Sequence, residues 1–218
     1  VASEFIRGRP DDLIGLVIFS GESFTQCPLT SDHSVLLNTM DRISSGMLED
    51  GTAIGEGLAT AVTRLKDAPT KSKVIILLTD GQNNAGSVAP ETAGDIANAF
   101  GIRVYTIGVG RNGTAPYPFQ TPFGIQYQNM EVKIDEPVLK SISASTDGKY
   151  FRATDNKKLN AIYQEIDRME KTKVQVTEFR RYSEEYLPFA MAAFIMIVLS
   201  TLLNLRSEEH TSELQSLA

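Results

Sequence analysis

The stretch Lys73-Val-Ile-Ile-Leu-Leu-Thr-Asp-Gly81 decides the fold: it is an apolar run that ends on an acidic residue and a glycine. An uninterrupted run of aliphatic and β-branched residues is typical of a strand that is buried on both faces of a parallel sheet. Asp80 would then stand at the carboxyl edge of that sheet, where open α/β folds hold their ligands. This stretch therefore predicts both a fold class and the place of a site.

A second stretch, Asp50-Gly-Thr-Ala-Ile-Gly-Glu-Gly57, places the Thr52 hydroxyl between glycines at the predicted start of a helix. Considered alone, Thr52 is explained as well by a role as the N-cap of that helix as by a role as a ligand. A hydroxyl and a strand-end carboxylate are also the oxygen donors that a hard cation such as Mg²⁺ prefers. Two such donors at one sheet edge are less easily explained as unrelated caps, so Thr52 and Asp80 are the predicted metal ligands.

The rest of the chain alternates apolar strands with amphipathic helices. This alternation predicts an α/β fold with a doubly wound, mostly parallel sheet and right-handed crossovers. The segment 114–130 is rich in Pro, Gly and aromatic residues and is predicted to be a loop or a small hairpin insert. Further strands are predicted in residues 12–20, 23–29, 103–109 and 149–153, and helices in residues 32–43, 52–65, 90–100, 135–145 and 156–171.

The composition limits the range of functions. A chain of 218 residues with 42% apolar content can bury one substantial core and a small extra element. The formal net charge of −6, without a long basic run, gives no reason to expect nucleic-acid binding. The single cysteine, Cys27, excludes an intrachain disulfide and is best explained as a small buried hydrophobic residue.

Enzymatic interpretations find little support. Gly108-Val-Gly-Arg-Asn-Gly113 matches the dinucleotide-binding pattern, but the proline-containing segment after it does not suit the helix that this pattern requires. Phosphatases of the haloacid dehalogenase type need a second acid two residues after Asp80, where this chain has Gln82. Apart from the C-terminal tail, His33 is the one histidine, and its place beside the exit of a predicted edge strand favours a solvated or capping role over a Ser-His-Asp relay. We expect no enzyme, with a nucleotide-dependent or phosphatase-like enzyme as the alternative.

The C-terminal part differs in composition from the rest. Residues 186–205 carry no charge and would extend about 30 Å as a helix, the thickness of the bilayer core. They are predicted to be a transmembrane helix. The following residues resemble the translated read-through of a sequencing adapter, and the chain starts without Met in what resembles the end of a helix. The predicted divisions are an N-terminally truncated domain 1–171, a juxtamembrane linker 172–185, the membrane helix 186–205 and a non-native tail 206–218.

Four segments, in this order, resemble a von Willebrand factor type A (VWA) domain. They are Ile14-Gly-Leu-Val-Ile-Phe19, Asp50-Gly-Thr-Ala-Ile-Gly-Glu-Gly-Leu58, Lys73-Val-Ile-Ile-Leu-Leu-Thr-Asp-Gly81 and Val104-Tyr-Thr-Ile-Gly-Val-Gly110. The resemblance covers residues 1–171. Together with the predicted membrane helix and the insert around residues 117–127, it makes the chain similar to the BatA-like aerotolerance proteins of bacteria.

The resemblance implies a metal-ion-dependent adhesion site (MIDAS). In the family its ligands are a D-x-S-x-S motif after the first strand, a threonine in the second loop and an aspartate after a later strand. Thr52 and Asp80 match the last two ligands, whereas the D-x-S-x-S motif and the first strand are missing. Two ligands supply only part of the octahedral oxygen shell of Mg²⁺. We therefore expect Mg²⁺ or Mn²⁺ in the full-length parent and weak or absent binding here.

The resemblance also implies a function. It indicates a membrane-anchored protein-interaction module in which an acidic side chain of the partner completes the metal shell, so that metal and partner binding are linked. The implied partners are a sister VWA protein and a MoxR-type ATPase, in cell-envelope assembly or stress tolerance. The implied location is the bacterial inner membrane. Lys171, Lys173, Arg180 and Arg181 precede the predicted span and favour a cytoplasmic domain, but we follow the resemblance, which favours a periplasmic one.

Overall fold

The computed structural model describes residues 1–70, 72–110, 113–121, 124–132, 134–178 and 189–201. Two units can be distinguished, Val1–Thr172 and Lys173–Ala218. The elements in chain order are α1 (Ala2–Arg7), β1 (Ile14–Phe19), β2 (Ser23–Thr30), α2 (His33–Met40), α3 (Ile54–Leu65), β3 (Val74–Thr79), α4 (Pro90–Ala99), β4 (Arg103–Val109), β5 (Gly113–Thr121), β6 (Gly124–Val132), α5 (Glu136–Ser145), β7 (Tyr150–Ala153) and α6 (Asn156–Glu178).

The centre of the first unit is a parallel three-stranded sheet with the order β3-β4-β7. Its register pairs Thr79 at the end of β3 with Gly108 in β4, and Val109 at the end of β4 with Ala153. The carboxyl ends of these strands therefore share one edge, and Asp80 directly follows β3 at that edge. This arrangement agrees with the α/β class and the parallel strands that the sequence predicts.

The described strands are not hydrogen-bonded into one continuous sheet, which the sequence did not show. The described strands form three separate sheets, β1-β2, β3-β4-β7 and β5-β6, of which the first and the last are antiparallel. β1 and β3 share no ladder in the described part of the chain. Apolar runs reveal strands but not their neighbours, which is why the sequence alone suggested a single sheet.

Helix α3 connects the first two sheets, because it packs on β1, β2 and β3. Its fully buried residues Ile54, Leu58 and Val62 form one cluster with Ile75 and Leu77 on one face of β3. The opposite face of β3 packs against a second cluster, to which α6 contributes Ile162 and Ile166. Helices therefore cover both faces of β3, which explains why this strand is apolar throughout.

Two predicted elements differ from the structure in their bounds or their form. The insert is an antiparallel hairpin, β5 and β6, so the hairpin alternative of the prediction is the right one. Helix α6 continues to Glu178, beyond the predicted end at Lys171 and into the predicted linker. Periodicity identifies a helix better than it identifies the last turn, where few apolar contacts mark the end.

The predicted membrane span lies partly outside the described residues. Residues 189–201 are helical, whereas residues 186–188 and 202–205, and the predicted non-native tail 206–218, lie outside the described part. Among the residues that the structure describes, no helix combines the length and the apolar character needed to cross a bilayer.

A buried charge ties α6 to the sheet. Glu170 is only 6% exposed, and its carboxylate accepts hydrogen bonds from Tyr105 Oη at 2.6 Å and from Arg103 Nη1 at 2.7 Å. Ser72 Oγ donates a third bond at 3.2 Å. Burial, together with the bond to Glu170, raises the pKa of Tyr105. A buried carboxylate needs such partners, so this network determines where α6 lies on β4.

The substitution Glu170→Ala tests how much this network stabilises the fold. We expect a loss of about 3–5 kcal/mol in the free energy of unfolding, because Arg103 and Tyr105 would lose their buried partner. The control is Glu165→Ala in the same helix, which removes an exposed pair with Lys149 at 2.6 Å and should cost less than about 1 kcal/mol. Urea unfolding followed by circular dichroism measures both, and equal costs would contradict a stabilising role for the network.

Candidate metal and partner site

Three loops meet at the edge where β3 ends. They are the β1 loop (residues 20–22), the α3 loop (residues 49–53) and the β3 loop (residues 80–88). Gly51 lies at their meeting point: a Cβ on Gly51 would stand 2.9 Å from Ala85 Cβ and 3.0 Å from Gly21 Cα. The predicted ligands Thr52 and Asp80 belong to two of these loops.

The β1 loop and the α3 loop are joined through their backbones. Gly21 N donates to Glu49 O at 2.7 Å, and Ala53 N donates to Ser20 O at 2.6 Å. Ser20 Oγ adds a side-chain bond to Gly51 O at 3.1 Å. These bonds place the α3 loop against the end of β1 before α3 begins.

The β3 loop holds the α3 loop through two asparagines. Thr52 N donates to Asn84 Oδ1 at 2.7 Å, and Asn84 N donates to Thr52 O at 3.1 Å. Asn84 therefore binds both polar groups of the Thr52 backbone. Asn83 Oδ1 accepts a bond from Ile54 N at 2.8 Å, at the first residue of α3.

The structure contradicts the interpretation of Thr52 as an N-cap. Helix α3 begins at Ile54, and the N-cap position is Ala53, which makes no side-chain capping bond. An asparagine from a different loop, Asn83, supplies the acceptor that an N-cap side chain would otherwise provide. The Thr52 hydroxyl is therefore not used for capping.

The Thr52 side chain lies next to the residue that follows Asp80. A Cβ on Gly81 would stand 3.0 Å from Thr52 Oγ1, so the hydroxyl occupies the space that a side chain at position 81 would take. Thr52 is half-buried and Asp80 is exposed. The structure thus brings the two loops that carry the predicted ligands together, while their role as metal ligands stays a prediction.

The residues present fit only part of a metal shell. In the described ranges of the chain, no group of three or more His, Cys, Asp or Glu side chains is arranged to hold a metal ion. Mg²⁺ takes six oxygen ligands in a nearly octahedral arrangement. One hydroxyl and one carboxylate would leave most of that shell to water or to a partner.

Comparison with known proteins identifies the family of this site. The profile of the von Willebrand factor type A domain matches residues 1–165, most of the 218-residue chain. The chain belongs to the von Willebrand factor type A family. This confirms the family predicted from the four segments.

Several solved structures are similar to this chain. BatB from Bacteroides thetaiotaomicron is 30% identical, with a TM-score of 0.65 over 78% of this chain and 85% of that protein. An aerotolerance-related membrane protein from Bacteroides fragilis is 27% identical, with a TM-score of 0.65 over 76% and 82% of the two chains. Proximal thread matrix protein 1 from the mussel byssus, described with a zinc-occupied MIDAS motif, is 23% identical, with a TM-score of 0.54 over 76% and 38%, and shows the fold alone.

Sequence relatives are longer than this chain. An uncharacterized protein of Borreliella burgdorferi is 26% identical over 195 residues, which is 89% of this chain and 57% of that protein. A relative from Nocardia farcinica is likewise matched over only 53% of its length. The chain thus spans about half the length of the curated relatives it matches.

Sequence reasoning missed Asn83 and Asn84, which join the loops of this VWA domain. The available signal was the run Asp80-Gly-Gln-Asn-Asn84, in which asparagines follow a strand end and a glycine. Asparagine side chains commonly bond backbone groups in turns. The run does not show that the bonded backbone belongs to a loop about thirty residues away.

The other sequence candidates do not form a site. Gly110 N donates to Ala153 O at 2.8 Å, and β5 follows at Gly113, so no helix opens after the glycine-rich turn as dinucleotide binding requires. His33 Nε2 bonds Asp12 O at 2.9 Å, and Cys27 is buried. These residues have structural roles.

The substitution Gly51→Ala tests the close packing of the three loops. Gly51 has φ +141°, and a Cβ there would contact Ala85 at 2.9 Å. The control Gly46→Ala also falls at a positive φ, +82°, but its Cβ would meet nothing within 4 Å. Both variants should suffer backbone strain, and Gly51→Ala should lose about 1–3 kcal/mol more because of overpacking. Thermal unfolding measures the difference, and equal losses would argue against tight loop packing.

Proposed function

We propose that this VWA domain captures a protein partner through a divalent cation, Mg²⁺ or Mn²⁺, held by Thr52 and Asp80. The observation that carries the proposal is the position of Thr52 Oγ1 on the side-chain face of Gly81, the residue directly after the strand-end carboxylate of Asp80. A bound cation would offer an open coordination position to an acidic side chain of the partner. Thr52 and Asp80 would orient that cation, and their incomplete donor set leaves room for the partner.

The hydrogen bonds that hold the Thr52 loop support this proposal. Both backbone polar groups of Thr52 are bonded to Asn84, so the hydroxyl is positioned before any cation arrives. Such preorganisation lowers the cost of binding. Asp80 is exposed, as a residue that meets a partner must be.

The proposed partners rest on the sequence resemblance, and the neighbour described as an aerotolerance-related membrane protein is consistent with a membrane complex. A sister VWA protein and a MoxR-type ATPase are the candidates, in a complex that serves cell-envelope assembly or stress tolerance. Such a partner would need one accessible Asp or Glu side chain to complete the coordination shell of the cation. An enzymatic role has no supporting observation among the described residues.

The substitution Asp80→Ala tests the metal ligand. In calorimetric titrations with Mn²⁺ we expect the unaltered chain to bind no more tightly than on the order of millimolar, because two side-chain donors fill little of the shell. Asp80→Ala should remove this binding, and the control Asp95→Ala, which alters an exposed acid of α4, should leave it unchanged.

A second measurement addresses capture. Co-purification of the chain with a purified sister VWA protein in millimolar Mg²⁺ should be lost with EDTA or with Asp80→Ala, and kept with Asp95→Ala. Capture that persists in EDTA, or tight Mn²⁺ binding by the Asp80→Ala variant, would sink the proposed role of Asp80.

We also propose that residues 186–205 anchor the protein in the bacterial inner membrane, with domain 1–171 on the periplasmic side and 172–185 as the linker. This segment carries no charged side chain, and an aerotolerance-related neighbour is described as a membrane protein. The apolar length suits the bilayer core.

The substitution Ile195→Arg tests the anchor. A charge near the middle of the segment should cost about 2.5–3.5 kcal/mol of insertion free energy. We expect the fraction of protein that stays in membranes after carbonate washing to fall at least several-fold. The control Gln215→Arg adds the same charge outside the segment and should change nothing, and equal behaviour of the two variants would contradict a spanning role.

A further inference from the structure

The β5-β6 hairpin has two outer strand edges. Each strand has nine residues, and their ladder runs from Gly113 opposite Val132 to Thr121 opposite Gly124. The described strands include no further neighbour for either β5 or β6. The hairpin follows β4, whose carboxyl end lies at the sheet edge where Asp80 follows β3.

The ladder determines which backbone groups point outward. Two residues join the strands, so Thr121 and Gly124 form the hydrogen-bonded pair that closes the turn. Hydrogen-bonded pairs then alternate along the ladder with pairs whose N–H and C=O groups point away from the partner strand. In β5 the outward positions include Pro116 and Pro118, opposite Asn129 and Tyr127.

The two prolines block the outer edge of β5. Proline has no backbone N–H, so two of the donors that an added strand would need are missing. Proline at such positions is a common protection of an edge strand against pairing with another chain. The agreement between the proline positions and the register also supports the assignment of the outward positions.

The outer edge of β6 has no such protection. Its outward positions are Ile125, Tyr127, Asn129 and Glu131, all with a backbone N–H. β6 contains no proline and no lysine, and Glu131 is its single charged residue. Prolines and lysines are the residues that usually protect an edge strand, so β6 is an edge open to pairing.

We infer that β6 pairs with β6 of a second copy of this chain, antiparallel about a twofold axis through residue 128. The β6 edge is then self-complementary, as a twofold interface must be. In this register Ile125 pairs with Glu131 of the copy, and Tyr127 pairs with Asn129 of the copy. All four outward residues form hydrogen-bonded pairs, and the product is a four-stranded sheet, β5-β6-β6-β5.

Charge and hydrogen bonding favour this register over its neighbours. A shift of the axis to residue 127 or 129 leaves only three outward pairs within the described strand. An axis at residue 131 would place Glu131 opposite itself, which destabilises a ladder. In the register centred on residue 128, the single charge of each strand lies opposite Ile125 instead. The pairing uses no metal, so its failure and the failure of the proposed metal site can be told apart.

Cysteine cross-linking of the full chain in detergent tests the register. Residue 128 would face its own copy in a non-hydrogen-bonded pair with a Cα–Cα distance of about 4.5 Å, within the range of a disulfide. Residue 126 would lie about 14 Å from its own copy, because four residues separate them along the strand. With copper-phenanthroline as the oxidant, Gln128→Cys should give a covalent dimer and Gln126→Cys should not.

The unaltered chain, whose single Cys27 is buried, provides the baseline of this experiment. The dimer fraction of Gln128→Cys should exceed that of Gln126→Cys at least tenfold. Equal cross-linking of both variants, or none by Gln128→Cys, would overturn the proposed pairing.

A second pair of variants tests whether the contact is made by the backbone. In the Gln128→Cys chain, Asn129→Pro removes one outward N–H and leaves the bonds between β5 and β6 intact. We expect the rate of dimer formation to fall at least about fivefold, the effect of one lost hydrogen bond at each end of the twofold contact. Asn129→Thr keeps the N–H and should cross-link normally. Equal losses for Asn129→Pro and Asn129→Thr would contradict strand pairing.

Discussion

The candidate site depends on the two hydrogen bonds between Asn84 and the backbone of Thr52. Asn84 binds the N–H and the C=O of the same residue and thereby joins two loops that are distant in sequence. This bond is made at the point where three loops pack so closely that Gly51 has no room for a side chain. Together with the bonds from Ser20 and Asn83 to the same loop, it holds the Thr52 hydroxyl beside Gly81.

The buried Glu170 network and the exposed Asp80 lie at opposite ends of the parallel sheet. At the amino end of β4, the buried carboxylate of Glu170 bonds Arg103 and Tyr105 and holds α6. At the carboxyl end of β3 the exposed Asp80 takes part in no buried cluster. Buried charges need fixed partners, whereas a ligand for a cation or a partner must stay accessible. The buried Glu170 network and the exposed Asp80 thus lie apart in the fold.

The hairpin adds a different kind of specificity. Metal-dependent capture depends on side chains, whereas an edge strand offers backbone groups that would pair with almost any extended segment. The two prolines of β5 disfavour pairing at its outer edge, so pairing with another strand is favoured only at the outer edge of β6. A VWA domain with both features can combine a contact that depends on a cation with one that does not.

The sequence by itself determined the α/β class, the family and the parallel strand that ends on Asp80, because apolar runs and glycines act locally. Only the tertiary structure decided that the strands form three sheets and that α3 begins at Ile54. It also decided that Asn83 and Asn84 hold the Thr52 loop. These features depend on contacts between residues far apart in the chain. Local patterns report burial and turns, but they do not report which distant backbone group a side chain will bind.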